Sequence, residues 1–137
     1  MAVHLPELDT FIAAWKETSE KNKQAFLQLR DHLAGLEGAR LEFVPREGLT
    51  YSLRASFPGQ AERPLFVMVD VIEDDPRWLS VCFYGEMISD PEEAGDYVPE
   101  GLLGEDAVCF DIETYDADRL AYVTARIDEA YRAAGGQ

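Results

Sequence analysis

Basic residues are almost missing from the middle of this 137-residue chain. Between Ala61 and Tyr115 stand 15 Asp and Glu against Arg63 and Arg77 alone. Elsewhere 12 acids face 10 bases, so most of the formal net charge of −15 belongs to one region. The deficit excludes an ordinary nucleic-acid binder, which neutralises phosphates with Lys and Arg, and disfavours anionic membrane surfaces for the same reason. A basic protein partner or a divalent cation is the counterpart that the charge suits.

Histidine and cysteine are scarce too. The only histidines, His4 and His32, have no second His or Cys at helical or hairpin spacing, so no zinc signature exists. His32 reads as a surface residue near a helix C-terminus, where the dipole favours its cation. Cys82 and Cys109 each stand between Val and Phe, and read as buried reduced thiols. Glycine-rich phosphate loops and a nucleophile elbow are absent. A Cys or Ser nucleophile with a His partner stays open, because such groups meet only in space. No apolar run approaches the roughly 20 residues that span a bilayer. The opening MAVHLPELDTF has neither the basic nor the apolar part of a signal peptide. The expectation is a cytoplasmic protein, monomeric or weakly dimeric, with no membrane association.

What is present suits one globular domain: 47% apolar residues, including 15 aromatics. From Leu8 to Ala34, Phe11, Trp15, Phe26, Leu29 and Leu33 recur at helical spacing, either as one helix or as two with a break near Lys16–Lys23. The period then becomes two. Arg40–Val44 and Thr50–Phe57 read as strands joined by the turn residues Pro45–Gly48, and Leu65–Ile72 as a strand buried on both faces. Glu73-Asp74-Asp75-Pro76 is a hairpin-length loop before the strand Trp78–Tyr84. Ala107–Glu113 supplies a fifth strand. Asp116 caps a last helix striped by Leu120, Val123, Ile127, Ala130 and Tyr131. Between the last two strands, Gly85–Asp106 carries eight acids and no base, a long connection of the kind that is often functional. Within it, Asp90-Pro91-Glu92-Glu93 has the form of a short helix start. The fold class expected is α+β: a five-stranded antiparallel sheet with the N-terminal and C-terminal helices packed on one face.

In this order of elements the chain resembles the YdhG-like family of small bacterial domains. The likeness is carried by the strand pair around Tyr51, the aromatic strand ending Phe83-Tyr84-Gly85, and the closing strand and helix of Val108–Ile127. One branch of that family is described as a frataxin-like iron chaperone. The resemblance therefore implies, as an alternative function, weak binding of iron or another divalent cation by a diffuse acidic surface. Where family members often carry Tyr-Gly-x-Pro-x-Phe, this chain has Thr50-Tyr51-Ser52-Leu53-Arg54, and it has Glu86 and Asp90 where basic residues commonly follow the aromatic strand.

Asp70 is the most informative single residue, a carboxylate inside Leu65-Phe-Val-Met-Val-Asp-Val-Ile72. Buried, it must be paired, protonated or open to a cavity. Arg54, on the neighbouring strand, is the expected structural partner. A place on the wet rim of the sheet is the second reading of Asp70, and a ligand or acid/base role is the functional alternative. Trp78, Tyr84, Tyr97 and Tyr115 could border the acidic region and offer rings to a cationic partner. Glu73, Asp74 and Asp75, acting with Glu92, Glu93 and Asp96, could hold a hard cation through oxygen ligands, although a solvated acidic face explains them as well. The leading expectation is a non-catalytic binding domain that uses the acidic loop end of its sheet and needs no cofactor. Iron holding comes second and a carboxylate enzyme third.

Overall fold

Alternation of apolar and polar residues governs the centre of the chain, and the computed structural model turns it into six antiparallel strands with three α-helices, over residues 5–60 and 63–136. His4 lies outside the described residues. The helices are α1 (Pro6–Ala14), α2 (Asn22–Ala34) and α3 (Ala117–Ala133). The strands are β1 (Arg40–Arg46), β2 (Thr50–Ser56), β3 (Val67–Ile72), β4 (Trp78–Tyr84), β5 (Asp96–Leu102) and β6 (Glu105–Ile112), in spatial order β1-β2-β3-β4-β6-β5. Among the described residues no helix is long and apolar enough to cross a membrane.

The N-terminal segment is two helices. Lys21 takes a left-handed conformation (φ 59°) just before α2, which breaks the continuous helix. Asp116 caps α3, accepting from the amides of Asp118 (3.0 Å) and Arg119 (3.1 Å).

The sheet has six strands rather than the expected five. The additional strand, β5, lies inside the acidic connection and pairs with β6. Pro99, Gly101 and a register shift between Val98 and Leu102 hide its period, so it exists by virtue of its partner and not of its own propensity. Asp90 does not start a helix either. Its carboxylate accepts from the amides of Ala94 (3.0 Å) and Gly95 (2.9 Å) and holds a turn. Ser89 Oγ donates to Glu129 on α3 (2.6 Å), and the Tyr122 hydroxyl donates to Asp90, so the connection is tied down along its length.

Tyr51, Leu53 and Ala55 of β2, Val67, Val69 and Val71 of β3, Leu79, Val81 and Phe83 of β4, and Phe110 and Ile112 of β6 share one sheet face. They form one core with Leu8 of α1, Phe26, Leu29 and Leu33 of α2, and Leu120, Val123 and Ile127 of α3. His32 Nε2 donates to Asp128 (2.7 Å), joining α2 to α3, so it is not simply a solvated helix end.

Candidate functional site

The residues between those core positions point to the other face, and the register lines them up in rows. Ser52 is opposite Asp70, Asp70 opposite Ser80, and Ser80 opposite Asp111, which makes an acid-serine row across four strands. The next row sets Arg54, Met68, Cys82, Cys109 and Asp96 side by side. On the opposite flank stand Thr50, Ile72 and Trp78. At the far end of this face a small second core closes over the sheet, formed by Leu65, Met68, Tyr84, Leu102 and Ala107.

Asp70 is not sealed by the expected ion pair. Arg54 Nε donates to the Ser52 hydroxyl (3.1 Å), and among the described residues no cation comes within salt-bridge distance of Asp70. Arg54 and Arg46 act on it only as nearby charges. Register explains the miss: Arg54 lies opposite Met68, one row away from Asp70. Burial pushes the Asp70 carboxyl above the ordinary carboxylate range, against the pull of the Ser52 hydroxyl and the two arginines. Its Oδ1 is buried without a partner. Asp111 is pushed the same way, by burial first and then by the charges of Asp96 and Glu113. With strands about 4.8 Å apart, the two acids sit roughly 10 Å from each other along the row, with Ser80 between them.

Cys82 and Cys109 are directly opposite on β4 and β6 and are joined as a disulfide, not held as the separate thiols expected. Nothing in the Val-Cys-Phe contexts signals this, because the pairing depends on strand register alone. Such bonds belong mainly to oxidising compartments, which is at odds with the cytoplasmic setting expected from the sequence.

Of the expected ligand residues, Asp70, Trp78 and Tyr84 share this sheet face. Trp78 Nε1 donates to Asp74 (3.2 Å) over the β3–β4 turn. Tyr84 is 1% exposed, with the Arg63 guanidinium 4.7 Å from its ring centre and its hydroxyl unpartnered. Tyr97 does not join them. It is opposite Val108, which packs on the helical side, and is 65% exposed with its hydroxyl donating to Asp106 (2.7 Å). Tyr115 is elsewhere again, bonded to Gln28 (2.9 Å).

The six acids proposed for a cation are divided. Glu73, Asp74 and Asp75 occupy the β3–β4 turn, Glu92 and Glu93 a turn tied to Tyr122, and Asp96 the start of β5. By strand spacing and rise, Asp96 is roughly 15–20 Å from the β3–β4 turn. Glu73 already has a cation: Arg77 donates to it through Nε (3.1 Å) and a terminal nitrogen (2.9 Å), which holds its carboxyl below the ordinary value. Among the described residues no group of three or more His, Cys, Asp or Glu converges to hold a metal ion.

Sequence reasoning missed the setting of Arg77. Its guanidinium lies over three rings, Phe11 (5.0 Å), Tyr51 (5.2 Å) and Trp15 (5.6 Å), drawn from α1, β2 and the residue after α1. One of only two bases in the acidic region is thus a structural centre. Its one legible signal was that rarity. No family model matches the chain, and no match was found among curated proteins or solved structures.

Proposed function

We propose that this domain binds rather than catalyses, and that its acid-serine sheet face receives a cationic group of a basic protein partner. The observation that carries the reading is Asp70: a carboxyl held in a desolvated place, with one oxygen unpartnered, where a hydrophobic residue would pack at less cost. An arriving guanidinium or ammonium supplies the missing partner. The surrounding excess of acid steers it there. Catalysis has less support. All three lysines lie within Lys16–Lys23, and His32 is engaged by Asp128 away from this face, so among the described residues Ser52 and Ser80 have no general base other than the carboxylates themselves.

The test is a titration with N-acetyl-arginine amide, following the side-chain carboxyl resonances of Asp70 and Asp111 and the backbone amides of Ser52 and Ser80. Binding should move these four together and lower the Asp70 pKa, because an adjacent cation favours the charged carboxylate. Weak shifts spread evenly over all the acids would count against the reading. Selective shifts at Glu73–Asp75, Glu92, Glu93 and Asp96 on adding Mg²⁺ or Fe²⁺ would transfer the function to the frataxin-like alternative.

A further inference from the structure

A second surface, on the helical side of the sheet, is concave and lined by aromatic and acidic residues. α1 lies beside the edge strand β1, and between them runs a groove made of two adjoining cavities. The larger, of about 450 Å³, has Phe11, Phe43 and Tyr51 as its aromatic walls, with Glu7 and Glu47 also lining it. The smaller, of about 280 Å³, shares Pro6, Glu7 and Phe43 and continues past Leu41 and Glu42.

β1 is the edge of the sheet, so among the described residues its outer backbone groups have no strand to pair with. In an antiparallel ladder alternate residues point their N–H and C=O groups to the same side. Pro45, which has no N–H to give, belongs on the outward side, and Leu41 and Phe43 are in step with it. The same residues whose side chains line the groove therefore offer main-chain donors and acceptors along it. Among the described residues no Lys, Arg or His lines either cavity, and no cation pairs with Glu7, Glu42 or Glu47.

We propose that this groove takes an extended basic segment of a partner protein, added as a strand to Leu41–Pro45. A Lys or Arg lays its stem against Phe11 and Phe43 and brings its charge to Glu7 and Glu47. Three features fit that occupant together: outward main-chain groups suit an extended chain, aromatic walls suit an aliphatic stem ending in a cation, and unpaired carboxylates suit its charge. A second copy of this chain fits less well, because two molecules of net charge −15 repel.

The experiment uses a short acetylated, amidated peptide alternating Lys and Val, followed by backbone amide shifts and by anisotropy of a labelled form. A version N-methylated at alternate residues removes the outward N–H groups, and a version with Glu in place of Lys reverses the charge. The expected result is selective perturbation of Leu41, Phe43 and the first turns of α1. The dissociation constant should rise about fivefold in the exposed double variant Glu7→Gln/Glu47→Gln, the scale of two surface ion pairs. Neither modified peptide should bind in this way. Unperturbed Leu41 and Phe43, equal affinity in the double variant, or equal binding of the N-methylated peptide would each overturn the proposal. So would concentration-dependent shifts at Leu41 and Phe43 without peptide, which would identify a second copy as the occupant. Backbone amides separate the two surfaces: a peptide that moves Ser52 and Ser80 while leaving Leu41 and Phe43 in place has gone to the acid-serine row and overturns the proposal, whereas shifts at Leu41 and Phe43 support it whatever happens at Ser52 and Ser80.

Discussion

The two faces of the sheet are made by the same strands and differ in almost everything else. On the helical side every strand but β5 gives a Val, Leu, Ile, Ala or aromatic to a single core, and residues such as Leu53, Val69, Val81 and Phe110 have no exposure at all. On the other side the same strands present Ser52, Asp70, Ser80 and Asp111, with a disulfide and a small apolar cluster beside them. A strand reads out two surfaces with a period of two, so selection can act on one without disturbing the other. Ser52 is only 2% exposed and lies beside a desolvated acid. Solvation alone therefore does not account for its polarity. The helical face carries most of the apolar burial, whereas on the other the Asp70 carboxyl is desolvated with one oxygen unpartnered.

The contrast can be broken most severely from the helical side. Phe83→Ala, which empties a fully buried position packed edge-on against Phe110, should destabilise the fold by about 3–5 kcal/mol in chemical denaturation. On the other face the largest effect should come from the covalent cross-link. Replacing Cys82 and Cys109 by Ala, or reducing the bond, opens a link between positions 27 residues apart and should lower stability by about 3 kcal/mol. Arg77→Ala should come next, at about 2 kcal/mol, because it strips the cation from three rings and leaves Glu73 with the Tyr51 hydroxyl (3.1 Å) but no cation. This loss should depend on pH. The folded Glu73 pKa is depressed, so the stability it brings is present above the ordinary carboxylate value and disappears as pH falls through the depressed one. The variant should therefore approach the wild type in acid.

Local pattern made part of this contrast legible in advance. Tyr51, Leu53 and Ala55 alternate with Ser52, Arg54 and Ser56, which separates the faces of β2 by inspection. Asp70 was legible as an anomaly, since a carboxylate inside Val-Met-Val-Asp-Val-Ile needs an explanation wherever the strand lies. Its surroundings were not, because they depend on register: Arg54 falls one row away, and Asp111 enters the row only because β6 inserts beside β4. β5 escaped for a related reason. Its sequence Asp-Tyr-Val-Pro-Glu-Gly-Leu has weak strand propensity, with positive φ at Glu100, and is held by β6. The Arg77 nest and the α1–β1 groove gather residues that are distant in the chain, and no local period encodes either.

The claim that the acid-serine face trades stability for binding is tested most directly by Asp70→Asn, with unfolding free energy measured against pH. A raised folded pKa means that the native state holds the Asp70 proton more tightly than the unfolded chain does. The contribution of Asp70 to stability should thus be fullest below the ordinary carboxylate value, near pH 4, and should be lost as pH rises through the folded value. The amide removes the ionisation, so the variant should exceed the wild type by about 1 kcal/mol at neutral pH, and the advantage should vanish in acid. A variant that is less stable than the wild type at neutral pH, with the gap closing only in acid, would show that the Asp70 carboxylate is a satisfied structural partner and would contradict the account.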